Sequence, residues 1–320
     1  MRANFFKTAG LILAMSVAQP LFAWEMSADG DYNIGPDYTN APELTPRDGV
    51  PKGTVHEFTM SSADSAIYPG LKGPYSRKVW VYIPSQYVPG TSAPFIVAQD
   101  GGGYTNHLPV ILDNMIQDHR VPPLIAVMIN SGGGDGKGSE RGLEYDTVSD
   151  KYSTFIETEV LPRVSKEYNV KFTSDPEGRA TMGGSSGAAC AFTMAWFHPE
   201  LYRRVLSYSG TFVNQQSPEN PQSPHGAWEY HEHLIPQNDA KPIRLWMQVG
   251  EKDNGYQREE TSYHNWVMAN QRMASALKAK GYHYQYVFCA GAKHVDRRAV
   301  GETLPGALAW LWQGYTPSGK

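Results

Sequence analysis

Apolar positions along the 320-residue chain fall into two kinds of run. "TVHEFTMSS" and "RKVWVYIP" alternate apolar with polar residues and are separated by a Gly/Pro-rich segment, which predicts two opening antiparallel strands. The later runs "PFIVAQ", "LIAVMIN", "RATMGG", "RVLSYSG", "IRLWMQVG" and "YHYQYVF" are short and nearly continuous, as strands buried on both faces should be. Between them the pattern becomes helical over Leu108 to Asp118, Tyr152 to Tyr168, Ser186 to His198, Tyr263 to Lys280 and Leu304 to Gly314. Strands alternating with helices predict an α/β fold, a mostly parallel twisted sheet with helices on both faces and right-handed crossovers. Ligands of such sheets bind at the carboxyl ends of the strands, so reactive side chains are expected just after the apolar runs.

Ahead of the first strand the pattern differs. "MRANFFKTAGLILAMSVAQPLFA" carries basic Arg2 and Lys7, an apolar core from Ala9 to Ala18 and a small-residue end at Ala23, and it reads as a signal peptide over residues 1–23. That core is shorter than the ~20 residues a spanning helix needs, and Gln19 and Pro20 interrupt it. The mature chain is therefore expected to be exported, to the periplasm or beyond, with no membrane span. Residues 24–52 are rich in Pro, Gly, Asp and Asn without periodicity and are expected to form an extended leader over the domain. No long linker or repeat follows, so residues 53–320 read as one domain.

Composition narrows the partners. A net charge of −4, more acidic once Arg2 and Lys7 are removed, leaves no footprint for nucleic acid or anionic membranes. Cys190 and Cys289, the only cysteines, sit in apolar contexts and are expected to be buried thiols.

The chemistry begins at "ATMGGSSGAAC". Gly183-Gly184-Ser185-Ser186-Gly187 fits G-x-S-x-G with Ser185 central, between a strand and a helix. Such a turn is tight enough to require glycine two residues on either side, and it exposes the serine above the sheet edge. The backbone N–H of Ser186, at the helix start, points to where an oxyanion forms. A serine needs a base oriented by an acid, and in this arrangement they follow in the order Ser, Asp/Glu, His. Asp253 in "GEKDNG" and His294 in "GAKHVD" each follow a predicted strand in that order, with Glu251 and Asp296 as fallback acids. Gly102 in "VAQDGGGY" is the expected second oxyanion donor, with Gly101 as the alternative.

Other motifs are weighed against this constellation. "NSGGGDGKGSERGLEYD" fails the phosphate-loop pattern, since Ser131 replaces its first Gly and Gly138 follows Lys137. It is read as an active-site rim in which Arg141 and Glu144 make the polar contacts. "HGAWEYHEH", with His225, His231 and His233, lacks the H-E-x-x-H spacing and reads as a solvated or substrate-facing loop rather than a metal centre. Specificity is expected from the insertion between Phe212 and Lys241 and from the rim after Asn130, with Trp228, Tyr230, Arg141 and Glu144 as substrate-binding residues. No metal or organic cofactor is expected.

These residues together resemble the putative-esterase family of α/β-hydrolases, which includes enterochelin esterases, esterase D and the feruloyl and acetylxylan esterases. The likeness spans about Thr54 to Trp312 and rests on "QDGGG", "RGLEYD", "GGSSGAACAF", "HPELYRRVLSYSGTF", "VGEKDNG" and "AGAKH". It implies Ser185 as nucleophile, Asp253 as acid, His294 as base, and Gly102 with Ser186 as oxyanion donors. It also implies a small-molecule or polysaccharide-linked ester substrate, of feruloyl, acetyl or siderophore type. Ala188 stands where many members have a second Gly, and "HVDRRAV" lacks the tryptophan that many carry after the catalytic His.

Overall fold

A computed structural model describes residues 28–317. The expected signal peptide and its cleavage point lie outside the described residues. The strands are β1 (Gly30–Ile34), β2 (Thr54–Ser61), β3 (Ser76–Ile83), β4 (Ser92–Ala93), β5 (Phe95–Gln99), β6 (Ile125–Ile129), β7 (Lys171–Phe172), β8 (Arg179–Gly184), β9 (Arg204–Tyr208), β10 (Arg244–Lys252) and β11 (His283–Lys293). Nine of them form one sheet in the order β1-β11-β10-β9-β8-β5-β6-β3-β2, and β4 pairs with β7 alone. The β2–β3 and β3–β6 pairs are antiparallel and all other pairs of the large sheet are parallel. β5 and β6 are buried along their whole length, which explains why their sequences read as unbroken apolar runs.

Helices cover both faces: α1 (Leu108–Gln117), α2 (Glu140–Tyr145), α3 (Lys151–Phe155), α4 (Leu161–Tyr168), α5 (Ser186–Phe197), α6 (Ile235–Gln237), α7 (Trp266–Ala279) and α8 (Arg297–Trp312). Successive residues of a strand feed opposite cores. Phe95 and Val97 join α5 and α7 on one side, and Ile96 and Ala98 join α1 and α8 on the other. α7 shows the local logic: Asn265 caps its start by accepting from the Met268 N–H, and Trp266, Asn270, Met273 and Leu277 make its buried stripe.

Two expectations change. The leader is not merely draped over the domain, because Gly30–Ile34 adds a parallel edge strand to β11, in register from Gly30 opposite Gln285. Downstream, Arg47 pairs with Asp118 at 2.8 Å and also donates to Asn114 on α1, which fastens the rest of the leader. The last helix starts at Arg297 rather than Leu304, because Asp296 caps it by accepting the Arg298 N–H at 3.1 Å. Cys190 and Cys289 are buried free thiols. No helix among the described residues is long and apolar enough to cross a membrane.

Candidate active site

Ser185 sits between β8 and α5 with φ 58° and ψ −126°, a strained backbone for a residue bearing a side chain. Neighbouring glycines make the turn possible. A Cβ on Gly183 would lie 2.4 Å from the Gly187 carbonyl carbon, and one on Gly187 would lie 3.0 Å from the Gln99 Cβ. The Ser185 N–H donates to the Tyr208 carbonyl at 2.9 Å, and the Thr211 N–H donates to the Ser185 carbonyl at 3.1 Å, which locks the turn against the end of β9.

The strand ends then converge. His294 follows β11, with Nε2 2.9 Å from Ser185 Oγ and Nδ1 2.5 Å from Asp253 Oδ1. Asp253 follows β10 and is almost wholly buried, a costly place for a carboxylate without donors. Besides His294, its donors are the Asn254 N–H at 2.7 Å, the Ser209 hydroxyl at 2.6 Å and, at the longer distance of 3.4 Å, the Gly250 N–H. The Ser209 oxygen also accepts the Val295 N–H at 2.9 Å, so one hydroxyl holds both the acid and the loop carrying the histidine. Trp266 packs edge-on to His294 at 6.0 Å and donates from Nε1 to Thr211 Oγ1, itself 3.3 Å from Ser185 Oγ. Glu251 and Asp296 are engaged elsewhere, with the Gly291 N–H and the start of α8.

A serine in hydrogen-bond contact with an imidazole, itself bonded to a buried carboxylate, can lose its hydroxyl proton to that imidazole as its oxygen attacks a carbonyl. The N–H of Ser186 lies at the first turn of α5, where the positive end of the helix dipole favours an anion. Gly102, at the 3-10 turn Gly101–Gly103, donates its N–H to Asn130 Oδ1 at 2.9 Å, an acceptor that an oxyanion would have to replace.

Arg141 forks onto Asp100, with 2.7 Å between its Nη2 and Oδ2, and so braces the residue that starts the Gly-rich turn. Glu144 is buried in an ion pair with Arg77 at 2.8 Å and accepts from the Tyr75 hydroxyl and the Gly132 N–H. It holds the rim and cannot meet a substrate. Trp228 and Tyr230 are also fully buried, contrary to expectation. Tyr230 donates to Thr193 Oγ1 at 2.8 Å and packs against Phe192 of α5, while Trp228 packs edge-on to Tyr263 and His231. His231 is buried as well, and desolvation pushes its pKa down to about 3, so it stays neutral.

The cavity at Ser185 and His294 has a volume of about 670 Å³ and is walled differently from expectation. Its lining comes from the Gly-rich turn through His107, from Arg141, from Val295 to Leu304 at the start of α8, and from Asn40 and Leu44 of the leader. No residue between Phe212 and Lys241 contributes. Sequence reasoning missed Ser209, Thr211 and Trp266, although Ser209 does follow an apolar run as the strand-end rule requires.

Solved structures share this fold. The enterobactin esterase FES from Shigella flexneri is 20% identical, with a TM-score of 0.60 over 81% of this chain and 60% of that one. This chain thus spans about 60% of that esterase's length. The feruloyl esterase module of Clostridium thermocellum, complexed with sinapinate, is 18% identical with a TM-score of 0.55 over 88% of this chain and 96% of that one. In sequence, the chain is 20% identical to the uncharacterized protein YbbA of Bacillus subtilis (strain 168), over 74% of this chain and 93% of that one. The model of the family described as "Putative esterase" matches residues 74–311, most of the chain, and the protein belongs to that family.

Proposed function

We propose that the protein is an exported serine esterase that works through a Ser185–His294–Asp253 triad and an acyl-enzyme, on esters of hydroxylated aromatic acids. The observation that carries this reading is the continuous relay from buried Asp253 through His294 to Ser185 Oγ, opening into a cavity of about 670 Å³.

In the first step Ser185 Oγ bonds to the ester carbonyl carbon while His294 Nε2 takes the hydroxyl proton. Asp253 holds the imidazole by Nδ1–H, fixing the tautomer that leaves Nε2 free to accept and stabilising the cation that forms. The Ser186 N–H stabilises the oxyanion, joined by Gly102 N–H once the oxyanion replaces Asn130 as its acceptor. The C–O bond to the alcohol breaks as Nε2 returns the proton to the leaving oxygen. Water then adds to the acyl carbon by the same route, releasing the acid and restoring Ser185.

The cavity walls support this substrate class. Arg297, exposed at the start of α8, offers a cation to phenolic oxygens, and the edges of the otherwise buried Tyr104 and Tyr208 border the same cavity. His107, whose pKa is lowered by burial and then by Arg297, contributes a neutral imidazole. The solved relatives act on or bind compounds of this type by name, an enterobactin esterase and a feruloyl esterase module complexed with sinapinate.

The test is turnover of methyl ferulate, a 2,3-dihydroxybenzoyl-serine ester and p-nitrophenyl acetate by the parent and by Ser185→Ala. The expected result is turnover of the aryl esters, an acyl mass adduct on Ser185 and loss of both in the variant. Equal turnover by parent and variant overturns the triad, and acyl transfer to an added alcohol outpacing release of free acid overturns hydrolysis.

A further inference from the structure

Away from the cavity, the segment set aside as a non-metal loop brings a nitrogen and two carboxylates to one point. Among the described residues, one cluster of His, Cys, Asp and Glu has metal-binding proximity: His225, Glu229 and Glu232, whose ligand atoms all lie within 4.8 Å of one another. The intervals of four and three residues put them on one side of a helical turn. We propose that these three side chains form a structural site for a divalent first-row transition ion, with Zn²⁺ as its occupant.

Geometry distinguishes this cluster from an ordinary ion pair. His225 Nδ1 lies 3.3 Å from Glu229 Oε1 but makes no hydrogen bond to it or to any other group, and it is shielded from water. The edge of a tetrahedron with metal–ligand bonds of 2.0–2.1 Å is about 3.3–3.4 Å, so the pair is spaced as neighbours on one ion. Glu232 Oε2 stands 4.0 Å from the same nitrogen, and its side chain is about one-third exposed, which leaves it free to close the remaining gap. The imidazole plane is held by stacking on Tyr263, with ring centroids 3.9 Å apart and planes inclined by 12°.

Outer contacts fit as well. Glu229 is nearly buried, its Oε1 accepts the His225 N–H at 3.1 Å, and its Oε2 lies 2.5 Å from His233 Nδ1. Hydrogen bonds from an outer histidine and an amide to a ligating carboxylate fix its orientation. One imidazole with two carboxylates suits Zn²⁺ better than Ca²⁺ or Mg²⁺, which take oxygen ligands, and a fourth position remains for water. The ion would tie this segment to Tyr263, three residues before Trp266 beside His294, and so stiffen the back of the active site without entering it.

The test uses tag-free full-chain protein stripped with EDTA, titrated with ZnCl₂ by calorimetry and melted with and without the ion. One equivalent of zinc should bind and raise Tm. Glu232→Gln should weaken binding at least tenfold while leaving the melting temperature of the stripped protein unchanged, and His225→Ala should weaken it at least tenfold while lowering that temperature only by its lost stacking on Tyr263. His233→Ala should weaken it through Glu229, by about 10–100-fold. Absence of saturable binding overturns the proposal, as does binding that survives His225→Ala or a Ca²⁺ affinity matching that of zinc.

Discussion

The Ser209 hydroxyl donates to Asp253 Oδ2 at 2.6 Å and so completes the hydrogen bonding of the buried carboxylate that faces His294. Removing it leaves a buried anion short of a donor and frees the Val295 N–H that the same oxygen accepts. Hydrogen bonds to charged groups contribute about 1.5–3 kcal/mol, so Ser209→Ala should lower kcat roughly 10–100-fold with little change in KM. Ser209 also has φ 51°, where alanine is strained, so Ser209→Gly separates the two effects: it relieves the backbone without restoring the donor. If the glycine variant recovers full kcat, the hydroxyl has no part in positioning Asp253.

Asp253→Asn keeps the shape of the acid but can donate to His294 Nδ1, stabilising the tautomer that carries its proton on Nε2. That nitrogen then cannot accept from Ser185 Oγ, 2.9 Å away. Loss of this orientation in a serine triad costs about four orders of magnitude in kcat, and a similar fall is expected here in steady-state turnover of an aryl ester. A fall of less than tenfold would mean that His294 is oriented by something other than Asp253.

Behind the nucleophile, burial raises the Asp146 carboxyl to about 7, only partly opposed by its polar neighbours Ser186 and Gln215. One of its oxygens has no partner, and the other accepts from Gln215 Nε2 at 3.1 Å. Because the folded pKa lies above the unfolded value, the native state binds this proton more tightly, and stability falls as pH rises from about 4 to about 7. The contribution is on the order of a few kcal/mol. Asp146→Asn removes the ionisation, so it should raise Tm at pH 8 while changing it little at about pH 4 and below. Equal shifts at the two pH values would show that Asp146 is not protonated in the fold near neutrality.

The parts of the site carried by regular elements were legible in the sequence, and the parts carried by packing were not. Ser185, Asp253 and His294 could be read because a parallel strand ends where an apolar run ends, and each residue follows such a run. Trp228 and Tyr230 were misread because an irregular segment with aromatic residues looks the same whether its rings face solvent or, as here, pack onto α5 and Tyr263. The leader strand was hidden because "GDYNI" is poor in strand formers, and its place depends on pairing with β11 rather than on its own propensity. Gly102 was correctly located on the loop, but its hydrogen bond to Asn130 links residues 28 apart and leaves no local trace.

That bond yields a charge test of the proposed oxyanion site. Asn130 Oδ1 occupies the Gly102 N–H at 2.9 Å, and a neutral carboxamide can yield that donor to an incoming oxyanion. Asn130→Asp puts an anion at the same point, which holds the N–H more tightly and repels the charge that develops on the substrate. Removing one oxyanion donor costs about 2.7–4 kcal/mol of transition-state stabilisation, so kcat should fall by about 10²–10³. Asn130→Ala, which leaves the N–H free, should not show this loss. Matching losses in both variants would assign Asn130 to loop geometry instead.

The leader makes its contribution to the cavity where it crosses α8. A Cβ on Gly301 would meet Asn40 Oδ1 at 2.2 Å, so Gly301→Ala must push the Asn40 side chain aside, and Asn40 and Leu44 both line the cavity. Alanine in a helix interior is favoured over glycine by roughly 1 kcal/mol, which offsets the cost of moving one flexible carboxamide. The variant should therefore melt close to the parent. Its KM for a bulky aryl ester should change several-fold, while kcat/KM for methyl acetate, which has no ring to seat there, should stay the same. Parallel changes for both substrates would mean that the substitution disturbs the triad through α8, and the leader would then have no separate part in substrate selection.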